Sequence, residues 1–409
     1  MTDDLAGSLV CLCCQTTRSE ARTARLEETL RAGPDWDRFL ELGNRHDVVP
    51  LLHFHLSGFG PDLIPAAVTE ELRNEARSIA RRNLYLNQEL HALFDALAEA
   101  GVEAISLKGP ILAAMAYPSP ALRRYSDLDV LVRRKDVRKA MAVLADRSYE
   151  PWETLSPAQE ETLLSSGYSR PYGRKLDWIG VDLHWGFSQN FFAGEIEPAR
   201  IWSEAEFVTV QGRPIRSLPR PLLPLALCVH GAKHGPYPWP KLKWIADMSE
   251  LLRTRAVADW EQTFQAAESL RLKRVLLLGL ALPNRLLKAQ LPARASVELD
   301  GDTTFTELTA WIRAHLFGSV ELKPSFEERT RFDLAMQDRA SGRLRYLAKR
   351  TLLPGRRDWN RVKLPGWLTF LYVPLRYGRL IAKYGLHPTK LRRLRRKRST
   401  STPGRQNGD

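Results

Sequence analysis

No apolar run in this chain approaches the ~20 residues that a membrane-crossing helix needs. The N-terminus reads Met1-Thr2-Asp3-Asp4, with no basic stretch ahead of the short apolar patch at 8–14, so a secretory signal is not expected. Cysteine is scarce. Cys11, Cys13 and Cys14 are crowded together and Cys228 stands alone. A disulfide framework needs spread, paired cysteines, so reduced thiols in a cytoplasmic protein are expected. The crowded trio has no second pair at zinc-finger spacing. It reads as a helix face of small apolar side chains before it reads as a zinc site. No internal repeat and no long low-complexity segment precedes the tail.

Material for a large core is present: 409 residues, 44% hydrophobic and 26% charged, a soluble globular composition for roughly two or three domains. The net charge of +14 is unevenly spread. Residues 356–398 hold 14 Lys and Arg against one acid, Asp358; Arg405 and Asp409 cancel, and the first 355 residues carry only +1. Basicity is therefore a property of the C-terminal segment.

Hydrophobic periodicity divides the chain into four expected regions. Residues 1–100 read as helical, with Asp35 capping a helix through Trp36, Phe39 and Leu42, a short apolar helix at 48–56 and a long one from Pro65 to Ala100 that Gly101 stops. Residues 101–220 alternate between types. Strands are expected at 103–107, 127–132, 169–176 and 180–187, helices at 109–116 and 135–147, and a hairpin at 208–218 turning on Gln211-Gly212. Residues 221–353 return to helix, at 222–234, 241–252, 260–270, 272–287, 304–316 and 326–352. Residues 354–409 form an aromatic and basic segment with a disordered tail. The fold class expected is α+β, a mixed-sheet core between two helical regions.

The chemistry concentrates at 105–132. Residues two apart on a strand share a face, so Asp127 and Asp129 aim two carboxylates at one point while Leu128 faces away. Asp182 supplies a third, inside the apolar run Val181-Asp182-Leu183-His184-Trp185. Buried carboxylates are costly unless paired or bound to metal. The Lys108-Gly109 turn allows close backbone approach, and N–H groups at the start of the next helix can face phosphate. Arg123 can neutralise phosphate or be solvated. His184, two residues beyond Asp182, can reach the site or be a satisfied structural histidine. His230 and His234 are four apart on an expected helix. Gly231 stands where a zinc protease carries Glu, so His230, Lys233, His234 or Lys241 near a nucleotide or acceptor is the better reading, with Asp247 orienting one of them.

Together, Leu107-Lys108-Gly109, Tyr117, Arg123, Ser126-Asp127-Leu128-Asp129-Val130-Leu131-Val132, the 181–185 strand and the 230–234 helix resemble the bacterial nucleotidyltransferase family proteins, a branch of the DNA polymerase β-like nucleotidyltransferases. Residues 35–52 are similar to the N-terminal helices of that family and 365–384 to its C-terminal end. The chain departs from the wider superfamily in two ways. Pro110 follows Gly109 where Ser or Gly is usual, and Asp127 stands 18 positions after Gly109, a longer gap. The resemblance implies a polymerase β-like core and transfer of a nucleoside monophosphate from a triphosphate such as ATP to an acceptor, dependent on Mg2+ or Mn2+, with release of pyrophosphate. Asp127, Asp129 and Asp182 would hold the metals, with Asp182 also serving as base. Lys108, Gly109, Ser126 and Arg123 would contact the nucleotide.

A competing expectation is a catalytically weak nucleotide-binding scaffold. For the C-terminal segment, a packed helix with a solvated tail competes with an interfacial helix on anionic lipid and with an RNA-holding arm.

Overall fold

The computed structural model describes residues 4–186, 198–233, 237–254, 257, 259–318, 324–352 and 371–380. The N-terminal helices are α1 (Leu5–Cys13), α2 (Glu20–Arg31), α3 (Trp36–Arg45), α4 (Val49–Leu56) and the 34-residue α5 (Ala66–Glu99). The sheet-forming stretch follows as β1 (Ala104–Ser106), α6 (Pro110–Ala116), β2 (Asp127–Val132), α7 (Val137–Asp146), β3 (Glu150–Pro151), α8 (Pro157–Ser166), β4 (Ser169–Arg174), β5 (Ile179–His184), α9 (Pro198–Ser203), β6 (Glu206–Val210) and β7 (Arg213–Ser217). The remaining helices are α10 (Leu223–Lys233), α11 (Leu242–Arg253), α12 (Trp260–Ser269), α13 (Lys273–Leu287), α14 (Ala293–Leu299), α15 (Thr303–Phe317), α16 (Phe326–Ala335), α17 (Ala340–Leu352) and α18 (Tyr372–Leu380). No described helix is long and apolar enough to cross a membrane.

The architecture is α+β around one seven-stranded mixed sheet of order β3-β4-β5-β2-β1-β7-β6. The central pair β2 and β5 is parallel, while β1 runs antiparallel to β2 and β4 antiparallel to β5. Both carboxylate-bearing strands therefore lie side by side inside the sheet. One compact unit takes in the described residues within 1–154 and 163–343; the described residues within 155–162 and 344–380 belong to a second. Within the first, a single apolar cluster joins Leu9 and Leu52 of the N-terminal helices, Ile105 and Leu131 of the sheet, and Trp239, Leu276 and Phe332 of the later helices. The cysteines are free thiols, with Cys13, Cys14 and Cys228 buried; burial pushes Cys11 up to about 12.

Local chemistry explains the boundaries. Asp35 accepts the Arg38 N–H at the start of α3. Leu72, Ile79, Leu86, Leu90, Leu93 and Leu97 form the buried stripe of α5, each contributing about 1.5–3 kcal/mol through burial. Gly101, at φ +68°, ends that helix in the left-handed conformation that side chains resist. The β6–β7 hairpin turns on Gln211 and Gly212, both at positive φ.

One expected helix divides. The stretch 326–352 breaks between α16 and α17 because Asp338 turns aside to accept the Lys273 and Arg274 N–H groups, at 2.9 and 2.8 Å, and so caps α13. The two-residue β3 and the short α14 carry too little periodicity to be read from sequence. Apart from α18, the aromatic and basic segment beyond 353 lies outside the described residues.

Candidate active site

Parallel register sets Asp127 opposite Gly180, Asp129 opposite Asp182 and Leu131 opposite His184. Paired residues share a face, so Asp129, Asp182 and His184 converge. Their ligand-capable atoms all lie within 4.8 Å of one another, a group able to hold a metal ion. His184 Nε2 sits 3.2 Å from Asp129 Oδ1 and 3.0 Å from Asp182 Oδ2. On the opposite flank, Lys108 Nζ reaches Asp129 Oδ1 at 2.8 Å. The same ammonium donates to His230 Nδ1 at 3.1 Å. His230 in turn packs edge-on against Trp244, with ring centroids 4.5 Å apart.

The electrostatics follow from this packing. Burial disfavours charge on Asp129, but Lys108 and His184 outweigh it and hold the carboxyl far below its usual range. Burial likewise opposes charge on His184, and Asp182 and Asp129 overcome it, raising the imidazole above its ordinary value. The same burial acts on Asp182, which His184 pulls down overall. Asp127 stands at the rim and falls outside the three-residue group. Its side chain meets solvent, yet the loss of hydration in the cleft and then the charge on Asp129 raise its carboxyl. Lys233 lies over the Tyr168 ring at 4.5 Å. Burial and then the charge of Lys108 bring it down to about 8.

Within the group of Asp129, Asp182 and His184, two buried atoms have no hydrogen-bond partner among the described residues: Asp182 Oδ1 and His184 Nδ1. A buried carboxylate oxygen left without a donor is costly unless a cation or proton meets it. This donor set of two carboxylates and one imidazole, with an oxygen still unsatisfied, fits a divalent ion.

Gly109 adopts φ +54°, ψ −116°, and a Cβ there would lie 3.4 Å from the Asp127 carbonyl oxygen. The positive φ is what calls for glycine; the approach to the carbonyl is ordinary contact. Ser126 is exposed immediately ahead of Asp127.

Arg123 is held differently from the phosphate contact expected of it. Its guanidinium is buried and grips Asp247 through Nε at 2.7 Å and Nη2 at 2.8 Å, and Nη1 approaches the Gly109 carbonyl at 3.4 Å. Tyr117 donates to the same Asp247 at 2.8 Å. Asp247 therefore orients Arg123 and Tyr117. Lys241 donates to the Arg45 carbonyl at 2.6 Å and lies 3.3 Å from Asp47. His234 lies outside the described residues.

Residues that sequence reasoning missed are Asp47 and Lys243; Arg124, beside Arg123, was a candidate for phosphate. Lys243 meets Asp47 at 2.9 Å and Arg124 meets it at 3.7 Å. Asp47 holds these cations together, and Lys243 is close enough to lower the Asp127 carboxyl against its burial. The signal available was the basic pair Lys241-x-Lys243 opening a helix.

A family model described as "Uncharacterised nucleotidyltransferase" matches residues 32–288, a span that includes every side chain of this site. No curated protein and no solved structure matches the chain. The chain belongs to that nucleotidyltransferase family.

Proposed function

We propose that the cleft over β2 and β5 moves a nucleoside monophosphate from a nucleoside triphosphate to a hydroxyl acceptor and releases pyrophosphate. The observation that carries this reading is the placement of Asp129, Asp182 and His184 abreast on two parallel strands, with Asp182 Oδ1 buried and unpartnered. The strand pattern and the Asp-x-Asp beside a third acid support a polymerase β-like core.

Asp129, Asp182 and His184 would hold the divalent ion, with Asp127 adding a carboxylate from the rim. Carboxylates suit Mg2+, and the imidazole shifts preference towards Mn2+. When bound, that ion neutralises triphosphate charge and stabilises the charge that builds during transfer. Lys108, Lys233 and Lys243 supply further positive charge for the phosphates, and the Gly109 turn lets them approach the backbone. The acceptor oxygen forms a bond to the α-phosphorus, the bond from that phosphorus to the pyrophosphate oxygen breaks, and the acceptor proton passes to the Asp182 carboxylate. Arg123 acts through position, tying the Gly109 turn to α11.

The test is unfolding of the full chain with each nucleoside triphosphate, with and without Mg2+ or Mn2+, in the wild type and in Asp129→Asn. A ligand at about 100 times its Kd adds about 2.7 kcal/mol to stability. Stabilisation by a triphosphate that needs both metal and Asp129 supports the reading. Absence of stabilisation by any triphosphate would remove it.

A further inference from the structure

We infer that Trp152 is the platform on which the nucleobase of the triphosphate stacks; the inference rests on the nucleotidyltransfer reading and adds the recognition of the base. The argument starts from a row of three residues. Gly173 of β4 pairs with Gly180 of β5, which pairs with Asp127 of β2. Directly paired residues share a face of the sheet, so the two glycines make a bare floor running up to the first aspartate.

The Trp152 indole lies on that floor. A Cβ at Gly173 would meet Trp152 Nε1 at 2.7 Å, a distance that real side chains do not tolerate. A Cβ at Gly180 would stand 3.9 Å from Trp152 Cζ2 and 3.4 Å from Asp127 Cβ. The indole edge and the aspartate thus border the same glycine. Trp152 is nonetheless 71% exposed. A tryptophan resting against backbone on one side and open to solvent on the other loses apolar burial that the fold could have used. Its backbone, just past the end of β3, is tied to β4, since the Trp152 N–H donates to the Pro171 carbonyl at 3.1 Å.

The charge distribution selects the occupant. Lys108 and Lys233 lie close enough to one another, and Lys243 close enough to Asp127, for their charges to shift these groups. The phosphates belong among those cations. The uncharged, planar end of a nucleotide then extends towards the open π face beside Asp127. Stacking on an aromatic side chain is worth about 1–3 kcal/mol per base and accepts any base.

The experiment is calorimetric titration of the full chain, in Mn2+, with ATP, UTP and inorganic tripolyphosphate. The variants are Trp152→Ala, Trp152→Phe and Gly173→Ala, the last of which displaces the indole without removing it. Expected is a loss of about 5- to 150-fold in ATP affinity for Trp152→Ala, a similar loss for Gly173→Ala, near-retention for Trp152→Phe and unchanged tripolyphosphate binding in all three. Equal losses for tripolyphosphate and ATP would overturn the inference, because the effect would not lie at the base. So would ATP binding that Trp152→Ala leaves intact, with the transfer reading still standing. If the wild type binds neither ligand, the transfer reading itself falls and the inference with it.

Discussion

Lys108 holds Asp129 at 2.8 Å, an ammonium set where a bound cation would otherwise satisfy that carboxylate. Both side chains are largely buried, so neither is well solvated. Breaking such a pair by removing one partner typically costs about 3–5 kcal/mol. Lys108→Met is therefore expected to lower stability by about 3 kcal/mol in urea unfolding. Mn2+ should recover more stability in the variant than in the wild type, because the competing ammonium is gone. Equal metal responses in the two proteins would show that Lys108 does not compete for the site.

The Arg123–Asp247 pair is more deeply buried, with Asp247 inaccessible to solvent. Asp247→Leu alone leaves a buried guanidinium and is expected to cost about 3–5 kcal/mol. Adding Arg123→Met should restore much of that loss. A double-mutant cycle by chemical denaturation measures the coupling; additive single losses would contradict a direct pair.

His46 should make stability depend on pH. Its Nδ1 accepts the Leu242 N–H at 3.3 Å, so Nε2 carries the proton and donates to the Leu316 carbonyl at 3.0 Å. Burial and then the charge of Arg45 bring the ring down to about 3. The unfolded chain protonates near 6.5, so between these values it binds more protons than the folded one. This stability is complete above about pH 6.5 and lost as pH falls towards 3, at up to about 1.4 kcal/mol per unit. His46→Gln should show a shallower slope between pH 7 and 4 in urea titrations.

Gly109→Ala places a Cβ in a conformation reserved for glycine and against the Asp127 backbone. A destabilisation of about 1–3 kcal/mol is expected. Nucleotide-dependent stabilisation should fall further than the melting temperature alone explains. A variant that unfolds like the wild type would mean the turn relaxes freely.

Much of the core was legible because its signals are local. Asp127 to Val132 announces a strand through its apolar run, and Pro65 and Gly101 bracket α5. Gln211-Gly212 marks its hairpin. The placement of Asp182 beside Asp129 was only suggested, since register depends on which strands pair. Asp338 and Trp152 were opaque, and Asp247 was given the wrong partners, for a common reason. Each is defined by a partner far along the chain: Arg123, the start of α13 and the glycines of β4 and β5. The division of 326–352 shows the same limit, because helix periodicity continues through Asp338 while its carboxylate serves another helix.

Helix α5 has a mechanical consequence. At 34 residues it is a rod about 50 Å long. Asn83 and Asn87, near its middle, fasten the loop before β2: Asn83 donates to the Pro120 and Arg123 carbonyls, and Asn87 accepts from Tyr125. Arg82, Tyr85 and Glu89 fasten the hairpin that leads into β5, through Asp177, Trp178 and Arg174. The approaches to Asp129 and to Asp182 are thus bolted to one stiff beam within two helical turns. The spacing of the two carboxylates is therefore referred to a single support, and not only to the pairing of their strands.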